Sequence, residues 1–375
     1  MSNNFKFNLE MATQNDDQFL KSIIKNNYME SDITVSFQRE PSYFESITVE
    51  GYEHFTIKAD VVSDNKKECV GMGSVSYKKL FVNGEITNIG YLSGLRLNKE
   101  WRGSSLVARG YKMFKNIHEK EKKVKIYLTT IIEKNYIALK NLTGGKAGLP
   151  KYNDYGLYTT YAVNLFKKKK QKSIDIKIYR ANINDIDEIV DCLNRNGRKK
   201  QFFPYYSKND IINNTQLLKG LKLNDIYVAK KDDKIIGVCA KWDQSAFKQN
   251  IIINYKGVMK FIKPFYNFFA KINKFSPLPN PCESLNSFFI GLIAIDNDDI
   301  DVFRSLLTEI YNNEIKNDYN YFLVGLHERD ILNRALKSFF SIKYKSRIFI
   351  VTYEDGVEYF NTLDDRIPYI ELGSI

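Results

Sequence analysis

Apolar and polar residues alternate along His54–Val62, Cys69–Leu80 and Glu85–Asn98, which predicts three strands. The polar Ser63–Lys67 stretch joins the first two, and Asn83-Gly84 is a hairpin signal before the third. The period then changes. Between Ser105 and Glu121 the positions Leu106, Val107, Gly110, Met113, Phe114 and Ile117 recur at three and four with lysines opposite, the pattern of an amphipathic helix. Val124–Ile132 is a continuous apolar run bounded by charge, as expected of a strand buried on both faces. A short strand at Phe5–Leu9 and a helix at Asp16–Lys25 open this half, and one or two strands over Tyr152–Leu165 close it.

The chain runs through this order twice. Ala12-Thr-Gln-Asn-Asp-Asp17 matches Ala181-Asn-Ile-Asn-Asp-Ile186 at an offset of 169. Gly94-Leu95 matches Gly291-Leu292, and Ala138-Leu-Lys140 matches Ala335-Leu-Lys337, both at 197. The change of offset requires roughly thirty extra residues in the second copy, and they lie between Trp242 and Ser284. Two domains follow, 1–166 and 174–375, joined by the basic run 167–173, with an aromatic and basic insertion at about 243–283. At 375 residues and 43% apolar content, each half is long enough to bury its own core.

Trp101-Arg102-Gly103-Ser104-Ser105 forms a tight turn between the third strand and the amphipathic helix. Strand, turn and helix N-terminus converge unpaired amides on one point, and Arg102 adds a positive charge, so a pyrophosphate fits there. At the offset of 197 the second copy carries Asp296, Asp298, Asp299 and Asp301 in the same place. These repel phosphate, or cap the helix over residues 301–316; in either case the second copy holds no phosphate.

Ile89–Gly110 resembles the acyl-CoA-binding motif of the GNAT superfamily of N-acetyltransferases, Arg/Gln-x-x-Gly-x-Gly/Ala between a strand and a helix. Arg102 and Gly103 fit it; Ser105 and Val107 stand where the family prefers glycine and glycine or alanine. Asn135–Leu142 resembles the family's second motif, Asn-x-x-Ala-x-x-x-Tyr, at Asn135 and Ala138, with Leu142 in place of the tyrosine. The resemblance covers residues 5–165 in element order. It implies an α/β (α+β) mixed-sheet protein of two tandem GNAT-like domains, the second degenerate. It further implies an acyl-CoA-dependent N-acetyltransferase that moves an acetyl or other acyl group from acetyl-CoA to a small-molecule or peptide amine. Arg102, Gly103, Ser104, Ser105, Leu106 and Val107 would then surround the pyrophosphate, Leu95 and Leu97 would pair with the pantetheine arm, and Asn135 would anchor the second motif. The oxyanion donor would be a backbone N–H near Leu95. The competing class is a non-catalytic acyl-CoA-binding or sensing protein, suggested by the missing tyrosine and the glycine-poor loop.

Amine attack also needs a base, because an ammonium must lose its proton first. Glu85 at the start of the third strand and Glu133 just beyond Val124–Ile132 are the candidates. His118 is expected among solvated charges, and His327 with Glu328 near a strand end in the second half. Trp101 either shields the turn or staples the helix entry. Four cysteines without paired spacing and three histidines argue against a structural metal. The net charge of +12 suits an anionic coenzyme, and nucleic acid is not an expected partner. The N-terminus lacks an apolar signal core and the longest apolar run, Phe288–Ile295, is too short to span a bilayer, so a soluble, reduced, cytoplasmic protein is expected. In the insertion, lysines interleave with aromatics from Tyr255 to Phe275. Either two short helices pack Phe261, Phe265, Phe268 and Phe269 into the core, or the segment lies on a membrane, grips an acidic or lipidic substrate, or covers the cleft as a lid.

Overall fold

The computed structural model describes residues 5–28, 30–63, 66–146, 148–214, 216–273, 276–315 and 317–375. The predicted turn at Asp64-Asn65 and the end of the insertion at Lys274-Phe275 lie outside the described residues. The first half runs β1 (Lys6–Met11), α1 (Asp17–Asn26), β2 (Ile33–Gln38), the single turn α2 (Tyr43–Ser46), β3 (Glu53–Ser63), β4 (Lys66–Val82), β5 (Glu85–Leu97), α3 (Leu106–Glu121), β6 (Ile126–Ile132), α4 (Tyr136–Thr143) and β7 (Lys151–Asn164). The second runs β8 (Lys177–Arg180), α5 (Ile186–Gly197), β9 (Lys200–Gln201), α6 (Lys208–Asn213), β10 (Ile226–Lys231), β11 (Lys234–Trp242), β12 (Gln249–Tyr255), α7 (Gly257–Asn273), β13 (Ser287–Ile295), α8 (Ile300–Glu314), β14 (Tyr321–His327), β15 (Ser341–Thr352), α9 (Val357–Asn361) and β16 (Ile367–Pro368).

One 12-stranded sheet passes through both halves in the order β1-β3-β4-β5-β6-β15-β7-β14-β13-β11-β10-β8. Read inward from its two ends, it presents the same sequence of strands twice, with parallel pairing at β5–β6 and at β13–β14. The closing strands are exchanged. β15, from the second half, pairs with β6, and β7, from the first, pairs with β14. The strand expected to close the first half therefore closes the second. The apolar alternation that predicts β7 suits a neighbour from either repeat, so it does not choose between them.

Local chemistry accounts for the element ends. Asn83 and Gly84 both take positive φ, 50° and 86°, the conformation that a two-residue Asn-Gly hairpin requires. α3 turns Leu106, Tyr111, Phe114 and His118 inward, and β13 is buried along most of its length. His118 is thus not solvated: its Nδ1 lies 2.9 Å from the Tyr127 hydroxyl and its Nε2 2.8 Å from Asp355 Oδ1. Helical phase places position 118 beneath Phe114, a burial that the surrounding charges conceal in the sequence. The basic run clings to α8 through Lys172 to Asp301 at 2.5 Å, Gln171 to the Ser305 carbonyl and Lys169 N to Asn312. Trp101 is held edge-on by Phe5 and Phe7, with ring centroids 4.9 and 5.5 Å away.

Candidate active site

β4 and β5 fall out of register between Met72↔Arg96 and Ser74↔Ser93, so Gly94 and Leu95 bulge from the ladder. Gly94 has φ +63°, the left-handed region where glycine carries no Cβ penalty. On its other edge β5 pairs with β6 only at Gly90↔Tyr127 and Tyr91↔Leu128. Thr129 Oγ1 donates to the Leu92 carbonyl at 2.8 Å, and beyond that link the two strands part. Among the described residues, the backbone of Ser93–Leu97 has no ladder partner toward β6, an edge that an extended, amide-bearing chain can pair with. Leu95 and Leu97 lie on that edge.

At the end of β5, a turn at Lys99–Trp101 leads to Arg102 in extended conformation and Gly103 at φ +89°. A Cβ at Gly103 would meet nothing within 4 Å, so the turn faces open space. Ser104 N donates to the Trp101 carbonyl, and Ser104 Oγ accepts from Leu106 N at 3.4 Å. Arg109 N to Ser105 O, at 3.0 Å, is the bond that starts the helical ladder, so the amides of Val107 and Ala108 precede it. Exposed Arg102 donates through Nε to the Leu97 carbonyl at 3.4 Å. The structure thus brings Arg102, Gly103, Ser104, Ser105 and the backbone of Leu106 and Val107 together at the head of the parted strands. The Leu106 side chain itself is buried with Ala59, Val61 and Val70.

Asn135 caps α4, its side-chain oxygen accepting from Ala138 N at 3.2 Å. Leu142 is buried in the cluster that contains Phe114 and Phe349. Of the two carboxylates proposed as bases, Glu85 is not brought to the bulge. Glu85 pairs with Val82 at the hairpin and is exposed, ten residues or about 33 Å of strand before Leu95. Glu133 directly follows β6, level with Arg96 across the parted strands by the β5–β6 register, its N–H donating to the Lys345 carbonyl and its Oε1 3.8 Å from Arg347 Nη2.

A buried polar row runs from the edge of the bulge along β4, from Ser74 opposite Ser93 to Lys78 opposite Ile89. Ser93 Oγ donates to Glu50 Oε2 at 2.5 Å, and Glu50 is within electrostatic reach of Lys78, Lys248 and Arg39. Tyr43 bonds Ser74 Oγ at 2.5 Å and Thr56 Oγ1 at 3.1 Å. Lys78 Nζ donates to the Ser374 carbonyl at 3.2 Å and lies over the Tyr91 ring. Lys248 Nζ donates to the Ile375 carbonyl at 3.3 Å. Burial pushes the Lys78 ammonium down to about 8 against the pull of Glu50 and Glu371. Burial pushes Lys248 down to about 7, with Arg39 adding to it and Glu50 opposing. Sequence reasoning passed over these groups. The signal was present in β4, where Ser74, Ser76 and Lys78 occupy every second position of a strand paired on both edges.

The second repeat has the same bulge and the same parting. β11 and β13 shift register between Val238↔Ala294 and Ala240↔Gly291, and β13 meets β14 only over Ser287–Phe289. Here Leu292 takes positive φ, 52°, so the structural counterpart of Gly94 is Leu292, one residue beyond the Gly291 that the sequence offset suggested. The gap is filled from within. Glu371 Oε2 accepts from Leu292 N at 2.9 Å, Tyr369 Oη accepts from Ile293 N at 3.2 Å and donates to Glu371 at 2.8 Å, and Tyr158 Oη donates to the Ile370 carbonyl at 2.8 Å. Asp299 caps α8 by accepting from Asp301 N and Val302 N, Asp296 binds Arg195 and Asn196, and Asp298 pairs with Lys200. His327 and Glu328 line a separate cavity of about 350 Å³ with Tyr155, Arg329 and Asp364.

No family model and no curated protein sequence matches the chain. Its fold matches solved structures along nearly its whole length. N-myristoyltransferase from Saccharomyces cerevisiae with bound myristoyl-CoA superposes with a TM-score of 0.57 at 14% identity, covering 94% of this chain and 83% of that one. A GCN5-related N-acetyltransferase from Sphaerobacter thermophilus gives 0.55 at 9% identity, covering 98% of each chain. Another, from Anabaena variabilis, gives 0.50 at 9% identity over 92% of this chain and 72% of that one. The chain therefore has the fold of the GCN5-related N-acyltransferases, built here as two repeats that exchange their closing strands.

Proposed function

We propose that the protein is an N-acyltransferase that binds acyl-CoA in the cleft of its first repeat and transfers the acyl group to an amine. The observation that carries this reading is the contrast between the repeats: the strands part in both, and among the described residues the chain's own side chains bond the bulge amides in the second. The pyrophosphate would rest on the amides of residues 103–107 beside Arg102, and the pantetheine amides would pair with Ser93–Leu97. The thioester carbonyl would then lie at the bulge, where the N–H of Leu95 can stabilise the developing oxyanion. The amine would approach over the polar row. Glu50, fixed by Ser93 two residues before Leu95, takes the role of base in place of Glu85 and Glu133. The C–N bond forms as the C–S bond breaks; the amine's proton passes to Glu50 and the coenzyme leaves as its thiolate. In this division residues 1–166 hold the coenzyme and residues 174–375 wall the acceptor side, with Lys248 as the second repeat's contribution. The likeness to a protein with bound myristoyl-CoA widens the donor from acetyl-CoA to longer acyl chains.

Thermal shift and thiol release, measured with acetyl-, octanoyl- and myristoyl-CoA against polyamine, aminoglycoside, amino-acid and peptide acceptors, test the reading. A shift with thiol release on one acceptor is expected. A shift without release on any acceptor would favour a sensor, and no shift with any acyl-CoA would remove both readings.

A further inference from the structure

The insertion carries the second inference, which is independent of the coenzyme site. α7 is a single helix, and its phenylalanines are not in the core, contrary to the packing expected of two short helices. Phe261, Phe265, Phe268 and Phe269 are 72%, 70%, 61% and 56% exposed. Val258, Ile262 and Ile272 share their stripe at helical spacing and are exposed too. The face turned toward the protein is narrow: Ala270 is buried, Asn267 exchanges hydrogen bonds with the Leu278 backbone, and Tyr266 meets Phe166 at 6.4 Å between ring centroids. A surface helix ordinarily buries its apolar stripe, and this one presents it outward.

Charge decides what covers it. α7 itself carries three lysines, Lys260, Lys263 and Lys271, and no aspartate or glutamate. Lys260 and Lys271 flank the stripe and are exposed. A second copy docked on this face would bring two lysine-rich surfaces together, which repels. An anionic bilayer satisfies both properties at once, with apolar side chains at the acyl boundary and lysines among the headgroups. The helix has 17 residues, and among the described residues no helix is long and apolar enough to cross a membrane, so α7 lies in the plane. We infer that α7 docks the protein onto anionic phospholipid membranes through its outward phenylalanine stripe.

Vesicle flotation of the full chain tests this, using phosphatidylcholine alone and phosphatidylcholine with about 30% phosphatidylglycerol. The protein is expected to float with the anionic vesicles and stay behind with the neutral ones. Phe265→Glu/Phe268→Glu and Lys260→Glu/Lys271→Glu should each weaken flotation by roughly tenfold or more, with unchanged melting temperatures because the altered side chains are exposed. Absence of flotation, equal flotation on both vesicles, or full binding by the folded phenylalanine variant overturns the inference. So does a lipid-free dimer that Phe265→Glu/Phe268→Glu dissociates, since a second copy would then own the face.

Discussion

The two repeats share a bulge, a pair of parting strands and a helix that starts at their head, yet the Gly103 turn of one faces open space and the bulge amides of the other are bonded by the chain's own side chains. In the first, glycine occupies both left-handed positions, Gly94 and Gly103, and the N-cap residue Ser105 makes no side-chain bond to the helix. In the second, Leu292 holds the bulge, Asp299 occupies the helix N-terminus with its own carboxylate, and Glu371 and Tyr369 satisfy the amides that parting strands expose. An anion site and a capped helix are alternative solutions to the same unpaired donors. The fold supplies the donors in both repeats; the side chains decide whether a ligand or the protein itself satisfies them.

The largest expected effect comes from giving the first turn the charge of the second. Arg102→Asp removes a cation from an exposed site and adds a repelling anion, so calorimetry should show CoA affinity falling about a hundredfold, with stability within about 0.5 kcal/mol of the parent. Retained affinity would mean that the turn does not hold the pyrophosphate.

Opening the second gap should act on stability and leave coenzyme binding alone. Glu371→Ala strands the buried Leu292 amide, and urea denaturation should show a loss of about 1–3 kcal/mol. Burial holds the Glu371 carboxyl above the usual carboxylate range, so Glu371→Gln, which keeps an acceptor and removes a buried charge, should cost much less. Similar losses from both variants would show that the charge, not the acceptor, matters there.

A graded effect with pH probes the polar row. Lys78 and Lys248 have their values lowered to about 8 and about 7 in the folded protein. Below that range both states are protonated and the cost of burying the charges is present in full. Above it, up to the ordinary lysine value, the unfolded chain binds more protons, so stability rises with pH by at most about 1.4 kcal/mol per unit for each group. Denaturation curves at about pH 7 and pH 9 should show the rise, and Lys78→Met/Lys248→Met should flatten it. An unchanged slope in the double variant would assign the rise to other groups.

Much of this architecture was written in the chain. The alternation along β3, β4 and β5, the Asn83-Gly84 hairpin and the helical period of α3 are local signals, and the spatial result agrees with them because each depends on neighbours within a few residues. The repeat and the contrast between Arg102-Gly103 and the aspartate run were legible for the same reason. The closing-strand exchange, the burial of His118, the plug of Tyr369 and Glu371 and the polar cluster of Glu50, Ser93, Lys78 and Lys248 were not. Each joins residues far apart in sequence: Glu50 with Ser93, His118 with Asp355, Leu292 with Glu371. Periodicity reports which face of an element is apolar, but not which distant segment will cover it, and polar residues on a covered face look the same in sequence as those left in water. By itself the sequence determined the elements, their duplication and the open turn. Only the tertiary structure decided which bulge has its amides bonded from within, because that takes a side chain delivered from the far end of the chain.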